Sequence, residues 1–228
     1  MTSATKRPAK VGRPRAVSDT TPETSPREQI LSAAAALFVT QGIGSTSTRA
    51  IAEAVGMRQA SLYYHFAGKD EMLVELLEAS VRPGLEVSQR LLLDARAPAS
   101  AAAALYALAL VDVATLTNDR HNIGMLYLSP EVQDARYDVF RAERGQLQAA
   151  YATLGTRAAR DVSGVDMPGE FLGSLLIQLV EVVIQRRRDN AEARIDADAL
   201  AASCLRLLGL SGEAIERAAV AARALLAA

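Results

Sequence analysis

The chain has 228 residues and one cysteine, Cys204, so it is long enough to bury a core unaided and excludes both a disulfide framework and a cysteine-rich zinc site. Its 44 alanines, 4% aromatics and plentiful Leu, Arg, Glu and Gln favour helix over strand, which predicts an all-α fold of about ten helices. The formal net charge of -1 hides an uneven distribution: in residues 1–25, Lys6, Arg7, Lys10, Arg13 and Arg15 oppose only Asp19 and Glu23, ahead of a near-neutral body. The leading residues are too polar for a signal peptide and no uninterrupted apolar run reaches the roughly 20 residues of a membrane span, so a cytoplasmic, non-membrane protein is expected.

Residues 1–24 are rich in Pro, Thr, Ser and charge and lack apolar periodicity, which predicts a flexible basic arm. A helix should begin at Ser25-Pro26-Arg27-Glu28, a capping box with proline at the first helical position, and place Ile30, Leu31, Ala34, Leu37 and Phe38 on one face until Gly42 stops it. A second, short helix is predicted from Thr48, whose hydroxyl can cap it, packing Ile51, Ala52 and Val55 before Gly56; a third runs from about Gln59 to His65. Two short helices joined by a glycine-containing turn, after a longer supporting helix, form a helix-turn-helix pattern. The expected division is therefore a DNA-binding unit at 25–72 and a helical regulatory and dimerisation unit at 73–228.

In the second unit a helix is expected from Lys69 to Val81, a break at Pro83-Gly84, a continuation from Leu85 to Asp94, and an Ala/Leu-rich helix over 99–117. A polar turn at 118–122 and the pair Ser129-Pro130 precede a long helix through Arg136, Phe140, Leu147, Tyr151 and Leu154; Gly164 to Gly169 is a predicted loop. From Glu170 to Arg188 the apolar residues exceed one core stripe, and two further Ala/Leu-rich helices are predicted at about 196–209 and 212–226.

The second helix of a helix-turn-helix lies in the major groove, where long polar side chains near its N-terminus reach base edges. Arg58, Gln59 and Ser61 occupy those places, with Arg49 on the preceding helix; Gln suits adenine and Arg suits guanine. Thr48, Tyr63, His65 and Lys69 offer hydroxyl, imidazole and ammonium donors for phosphates. The same stretch taken alone also suits an ordinary solvated short helix with His65 as a cap or core histidine.

The run from Thr48-Arg49-Ala50-Ile51-Ala52 through Gln59-Ala60-Ser61-Leu62-Tyr63-Tyr64-His65-Phe66 to Lys69 resembles the DNA-binding signature of TetR-family bacterial repressors. The resemblance implies an all-helical fold, three N-terminal helices on double-stranded operator DNA, and C-terminal helices that form a homodimer and receive an inducer. It also implies phosphate contacts from Thr48, Tyr63, His65 and Lys69, and base contacts from Arg49, Arg58, Gln59 and either Ser61 or Tyr64. Arg58 and Gly68 stand where the family carries small capping residues, so capping there should be weaker. Arg58 to Phe66, the Val11-Gly12-Arg13-Pro14-Arg15 arm, and Asn122-Ile123-Gly124 with Leu126-Tyr127 and Pro130 resemble the AmtR-type nitrogen regulators of actinobacteria. That subgroup implies repression of nitrogen-uptake genes and release by an adenylylated PII-type signal protein.

Gly12-Arg13-Pro14-Arg15 resembles the core of an AT-hook, in which Pro keeps the chain extended and Arg13 and Arg15 enter the narrow minor groove of A/T-rich DNA; Val11 stands where a hook carries arginine. His65 and His121 have no partner at metal-ligand spacing, and no phosphate-cradling glycine loop or G-x-S-x-G elbow is present, so neither catalysis nor a cofactor or metal is expected. His121, Asn122, Tyr127, Arg136 and Tyr137 are candidates for lining a ligand pocket, although caps and surface positions explain them equally well. Two alternatives to the nitrogen reading are carried: release by a small apolar inducer in another regulon, and an all-α enzyme or lipid-binding module with an incidental N-terminal motif. The Ala/Leu filling of the middle helices leaves few convergent polar groups for a small molecule and favours a protein signal.

Overall fold

The computed structural model describes residues 25–162 and 167–227, and the residues among them in regular structure are helical. The predicted basic arm, including Arg13 and Arg15, and residues 164–166 of the predicted 164–169 loop lie outside the described residues. Nine α-helices follow in order: α1 Pro26–Gln41, α2 Thr48–Ala54, α3 Gln59–His65, α4 Lys69–Asp94, α5 Pro98–Asn118, α6 Asp138–Ala158, α7 Gly169–Asp189, α8 Ala197–Leu207 and α9 Gly212–Ala227. Three short 3-10 turns, Ile123–Leu126, Pro130–Gln133 and Ala135–Tyr137, bridge α5 to α6.

The start of α1 is set by local chemistry. Ser25 Oγ accepts from the Glu28 amide at 3.2 Å while the Glu28 carboxylate accepts from the Ser25 amide at 2.8 Å, satisfying two donors that the first helical turn leaves free. Gly42 ends the helix at φ +88°, a left-handed-region conformation available to glycine at little cost, and its amide returns to Phe38 O. Ile30, Ala34, Ala35 and Phe38 are buried against α2 and α4. At α2 the cap falls one residue earlier than expected: Ser47, not Thr48, accepts from the Ala50 amide, which leaves the Thr48 hydroxyl available for other partners. Arg58 and Gly68 occupy the caps of α3 and α4 without a side-chain cap bond, and at α4 the Glu71 carboxylate accepts from the Ala67 amide instead.

Two further expectations are corrected. Pro83-Gly84 does not interrupt the chain; α4 runs through both as one helix of 26 residues, crossing the predicted 72/73 boundary so that both units share it. Proline removes one helical hydrogen bond, but Val81, Leu85, Ser88 and Leu91 are buried on the face packed against α5 and α6, and that packing outweighs the local cost of about 3 kcal/mol. Gly84 serves close approach rather than a turn, since a Cβ there would stand 1.8 Å from Asp112 Oδ1 on α5. The other correction concerns Arg136, which lies in the third 3-10 turn, before α6 begins at Asp138.

The centre of the larger unit is α5, buried almost continuously from Ala101 to Ala109 and packed against α4, α6, α7, α8 and α9. By length and apolarity it could cross a membrane, with a mean hydropathy of 1.8, yet here it is the core helix. Alanine makes this geometry possible, because small side chains let five neighbours approach one axis. On α6 and α7 glycine does the same: a Cβ on Gly173 would sit 2.7 Å from Gln148 O, and one on Gly155 would sit 2.6 Å from Leu176 Cδ1.

Candidate nucleic-acid interface

α2 packs on both α1 and α3, with Ile51, Ala52, Leu62 and Phe66 buried, and this burial turns the polar faces of both short helices outward. Arg58 and Ser61 are exposed, as are the rings of Tyr63 and Tyr64 at 51% and 88%. A tyrosine so far from water-free packing is unusual for a core residue and suits a surface that meets a partner. His65, in the last turn of α3, sets its ring edge-on to Tyr64 with centroids 5.3 Å apart. Arg49 is exposed on α2 but forms an ion pair with Glu53 at 2.8 Å, so it must exchange that partner to contact a base or phosphate.

Three of the expected residues form one cluster. Gln59 Nε2 donates to Thr48 Oγ1 at 2.9 Å and lies 3.5 Å from Tyr63 Oη, and the two hydroxyls are 3.2 Å apart. The cluster ties the first residue of α2 to both ends of one face of α3, fixing the two short helices relative to each other. Lys69, expected at a phosphate, is engaged within the protein. Its ammonium donates to Ile43 O at 2.7 Å and Thr46 O at 2.9 Å, pinning the α1–α2 loop to the start of α4. With a further weak contact to Gly44 O at 3.5 Å, its three N–H groups are turned toward carbonyls.

The five pocket candidates do not converge on one cavity. Tyr137 and Arg136 both reach Asp70 at the start of α4: the phenol donates at 3.3 Å and Arg136 makes an ion pair, with a second to Asp134 at 2.9 Å. Asn122 sits at φ 56°, ψ 50°, buried, with Nδ2 donating to Ile184 O at 3.0 Å. His121 Nε2 lies 2.9 Å from Ser32 Oγ on α1; partial burial, with Arg120 and Arg187 nearby, holds its imidazole below the ordinary value despite Asp119. The 119–122 turn is held from inside by Asp119, which accepts from the His121 amide at 3.1 Å and the Ile123 amide at 2.5 Å, and from outside by Arg187, which donates to Leu116 O and Asp119 O. His121, Arg136 and Tyr137 thus bond from the larger unit to Ser32 and Asp70 of the smaller one, whereas Asn122 bonds within the larger unit. Arg27 adds to the same seam, pairing with Glu75 and lying 4.5 Å over the Phe66 ring.

Of the five, Tyr127 lines a small cavity. About 20 Å³, room for one water, is enclosed by Ser80, Asp112, Tyr127, Arg144 and Glu181 with aliphatic neighbours. Tyr127 Oη donates to Ser80 Oγ at 2.8 Å, Arg144 pairs with Glu181 at 2.6 Å, and Tyr151 Oη donates to Asp112 Oδ2 at 2.7 Å. Burial pushes the Asp112 carboxyl up to about 7, aided by Glu181 and opposed by the Tyr151 hydrogen bond. The sequence signal for this network is a lone acid inside the apolar α5. A larger groove of about 700 Å³ opens among α5, α6 and α9, walled by Ala102, Ala158, Val162, Leu210, Ala218 and Leu225. Among the described residues no group of three or more His, Cys, Asp or Glu is arranged to hold a metal, and Cys204 is buried, its thiol pushed up to about 12 by burial.

Comparison with known proteins assigns this geometry to a family. Residues 30–76 match the profile of bacterial regulatory proteins, tetR family. Among curated proteins, the HTH-type transcriptional repressor KstR2 of Mycobacterium tuberculosis strain H37Rv is 47% identical over 53 residues, 23% of this chain and 26% of that protein. KstR2 of Rhodococcus jostii is 41% identical over 59 residues, 26% of this chain and 29% of that protein, so the chain spans about a quarter of the length of these curated relatives. The crystal structure of Mycobacterium smegmatis AmtR superposes with a TM-score of 0.81 at 42% identity, covering 90% of this chain and 96% of that one. AibR, solved with isovaleryl coenzyme A and operator DNA, shares the fold at 17% identity, with a TM-score of 0.61 over 80% of this chain and 96% of that one. With the tetR-family profile on its helix-turn-helix and an AmtR-like architecture throughout, the chain belongs to the TetR family of transcriptional regulators and is not an enzyme.

Proposed function

We propose that this protein is a homodimeric repressor that binds double-stranded operator DNA through residues 25–72 and controls genes of nitrogen metabolism through the helical unit at 73–228. The observation that carries the reading is the 42% identity to M. smegmatis AmtR across 90% of the chain, joined to an α2–α3 surface that leaves Arg58, Ser61, Tyr63 and Tyr64 exposed. Arg58, Gln59, Ser61, Tyr64 and, once freed from Glu53, Arg49 are assigned to base edges; Thr48, Tyr63 and His65 are assigned to phosphates. Arg13 and Arg15 extend the contact into the minor groove.

Dimerisation is supported by an apolar stripe. On α7, Phe171, Leu175, Leu179 and Val182 follow helical spacing and none is fully buried, with Phe171 54% and Val182 39% exposed; Leu200 and Leu207 continue the patch on α8. A two-fold contact there covers both helices and spaces two α3 helices on a palindromic site. The effector is assigned to an adenylylated PII-type protein, a partner inferred from the AmtR likeness. The groove of about 700 Å³ favours a second reading, a small apolar inducer, because its walls are alanine and aliphatic.

The test is selection of a specific operator from random DNA by the full-length protein, followed by release. The proposal expects a palindromic site, loss of binding in Gln59→Ala and Tyr63→Ala, and dissociation by the adenylylated signal protein but not its unmodified form. Dissociation by apolar metabolites alone supports the second reading, and absence of any selected sequence overturns DNA recognition itself.

A further inference from the structure

Resting on the assignment of α3 to the major groove, we infer that Gln59 reads DNA one-sidedly: its carbonyl oxygen accepts from the exocyclic amino group of adenine or cytosine while Thr48 and Tyr63 retain its amide nitrogen. Glutamine ordinarily recognises adenine with both ends of its amide, Oε1 accepting from N6–H₂ and Nε2 donating to N7. Here the donor end is engaged within the protein, at 2.9 Å from Thr48 Oγ1 and 3.5 Å from Tyr63 Oη. The two hydroxyls are 3.2 Å apart, so they form a single acceptor patch that spans α2 and α3.

The amide is planar and its oxygen lies on the other side of Cδ from its nitrogen. With Nε2 turned to the α2 hydroxyls, Oε1 is turned away, and among the described residues it has neither a protein hydrogen bond nor a place among the buried polar atoms lacking a partner. The group presented outward is therefore an acceptor. In the major groove adenine and cytosine each offer an amino donor, whereas guanine and thymine offer O6, N7 and O4 acceptors that repel it. The consequence is a degenerate preference for A or C at one operator position, set by a side chain usually associated with adenine alone. Thr48 and Tyr63 act as positioning residues for this choice, in addition to the phosphate contacts assigned to them. Ser47 caps α2, so Thr48 is free to take this role without weakening the helix start.

The experiment uses the full-length protein and its selected operator, with binding followed by fluorescence anisotropy at fixed salt. At the position whose preference is lost in Gln59→Ala, the base is replaced in turn by 7-deazaadenine, which lacks the N7 acceptor, by unsubstituted purine, which lacks the amino group, and by cytosine, guanine and thymine. The inference expects adenine, 7-deazaadenine and cytosine to bind within about 2-fold of one another, and purine, guanine and thymine to bind about 3- to 10-fold more weakly, the worth of one hydrogen bond. Thr48→Val, checked for folding by circular dichroism, should release Nε2, narrow the preference to adenine and make 7-deazaadenine as costly as purine. A 7-deazaadenine penalty already present in the unaltered protein means two-ended reading and overturns the inference, as does a Gln59→Ala variant that loses affinity uniformly at every position. Failure to select any sequence is a separate result that removes the DNA-reading assignment along with this one.

Discussion

Asp112→Asn isolates the buried carboxyl at the centre of the larger unit. In the folded protein this group titrates near 7, raised by burial from an ordinary value of 3.8, so between those limits the native state holds a proton that the unfolded chain has released. Stability from this group is therefore present at low pH and lost as pH rises through that window; the sign is opposite to that of a salt-bridged aspartate. Integrating the linkage from pH 5 to pH 8 gives a loss of roughly 3 kcal/mol, and over the whole window roughly 4 kcal/mol. Asparagine keeps the volume and an acceptor for Tyr151 Oη, which lies 2.7 Å from Asp112 Oδ2, but does not titrate. Guanidinium unfolding of both proteins, at equal concentration because dimer stability depends on it, should show little difference at pH 5 and a variant more stable by about 2 to 3 kcal/mol at pH 8. Parallel pH profiles for the two proteins would refute the reasoning, since they would mean that Asp112 is ionised in the fold or that water reaches it freely.

Lys69→Met removes the donor shared by Ile43 O and Thr46 O and should cost about 1 to 3 kcal/mol in thermal unfolding, with the salt slope of DNA binding unchanged; a slope reduced by about one would return Lys69 to the phosphates. Gly173→Ala places a Cβ 2.7 Å from Gln148 O and 2.8 Å from Ala152 Cβ, so α6 and α7 must separate, and a loss of about 1 to 3 kcal/mol is expected; an unchanged melting temperature would show that the pair has slack. Leu179→Glu and Phe171→Glu should yield monomers in sedimentation if the α7 stripe is the two-fold contact, and a persistent dimer in both moves the contact elsewhere. Deleting residues 1–20 should weaken binding most on operators with A/T-rich flanks, and an equal loss on G/C-rich flanks would leave the arm only an electrostatic role.

Features governed by neighbours in sequence were legible before the fold. The capping box at Ser25 and Glu28, the stop at Gly42 and the three-helix spacing that follows depend on contacts a few residues apart, and the structure reproduces them. What failed depends on contacts far apart in sequence. Pro83-Gly84 reads as punctuation until α5 is laid against it and Gly84 becomes the place where Asp112 touches α4. The internal partners of Lys69 were hidden for the same reason, because nothing local says that the carbonyls of residues 43 and 46 lie beside it. Leu176 and Leu179 are three residues apart in an apolar run that exceeds one core stripe, yet Leu176 is fully buried within the chain whereas Leu179 is only half-buried. Among the DNA-facing residues the types were legible and the engagement was not. Thr48 was read as a cap, one position from the true cap at Ser47, and the bond between Gln59 and Thr48 crosses two helices that periodicity treats separately.

The turn at 119–122 bears on how the chain tolerates change in length. Surface connections ordinarily accept insertions because their backbones answer to water rather than to neighbours. This one is bound on three sides, to Ile184 and Arg187 of α7, to Ser32 of α1, and to its own Asp119, and Gly124 just beyond it has no room for a Cβ, which would stand 2.4 Å from Ile184 Cδ1. One added residue would change the register of all these attachments together. The exposed connection between α7 and α8, at 190–196, carries no comparable set of long-range bonds among the described residues, so length variation is better accommodated there.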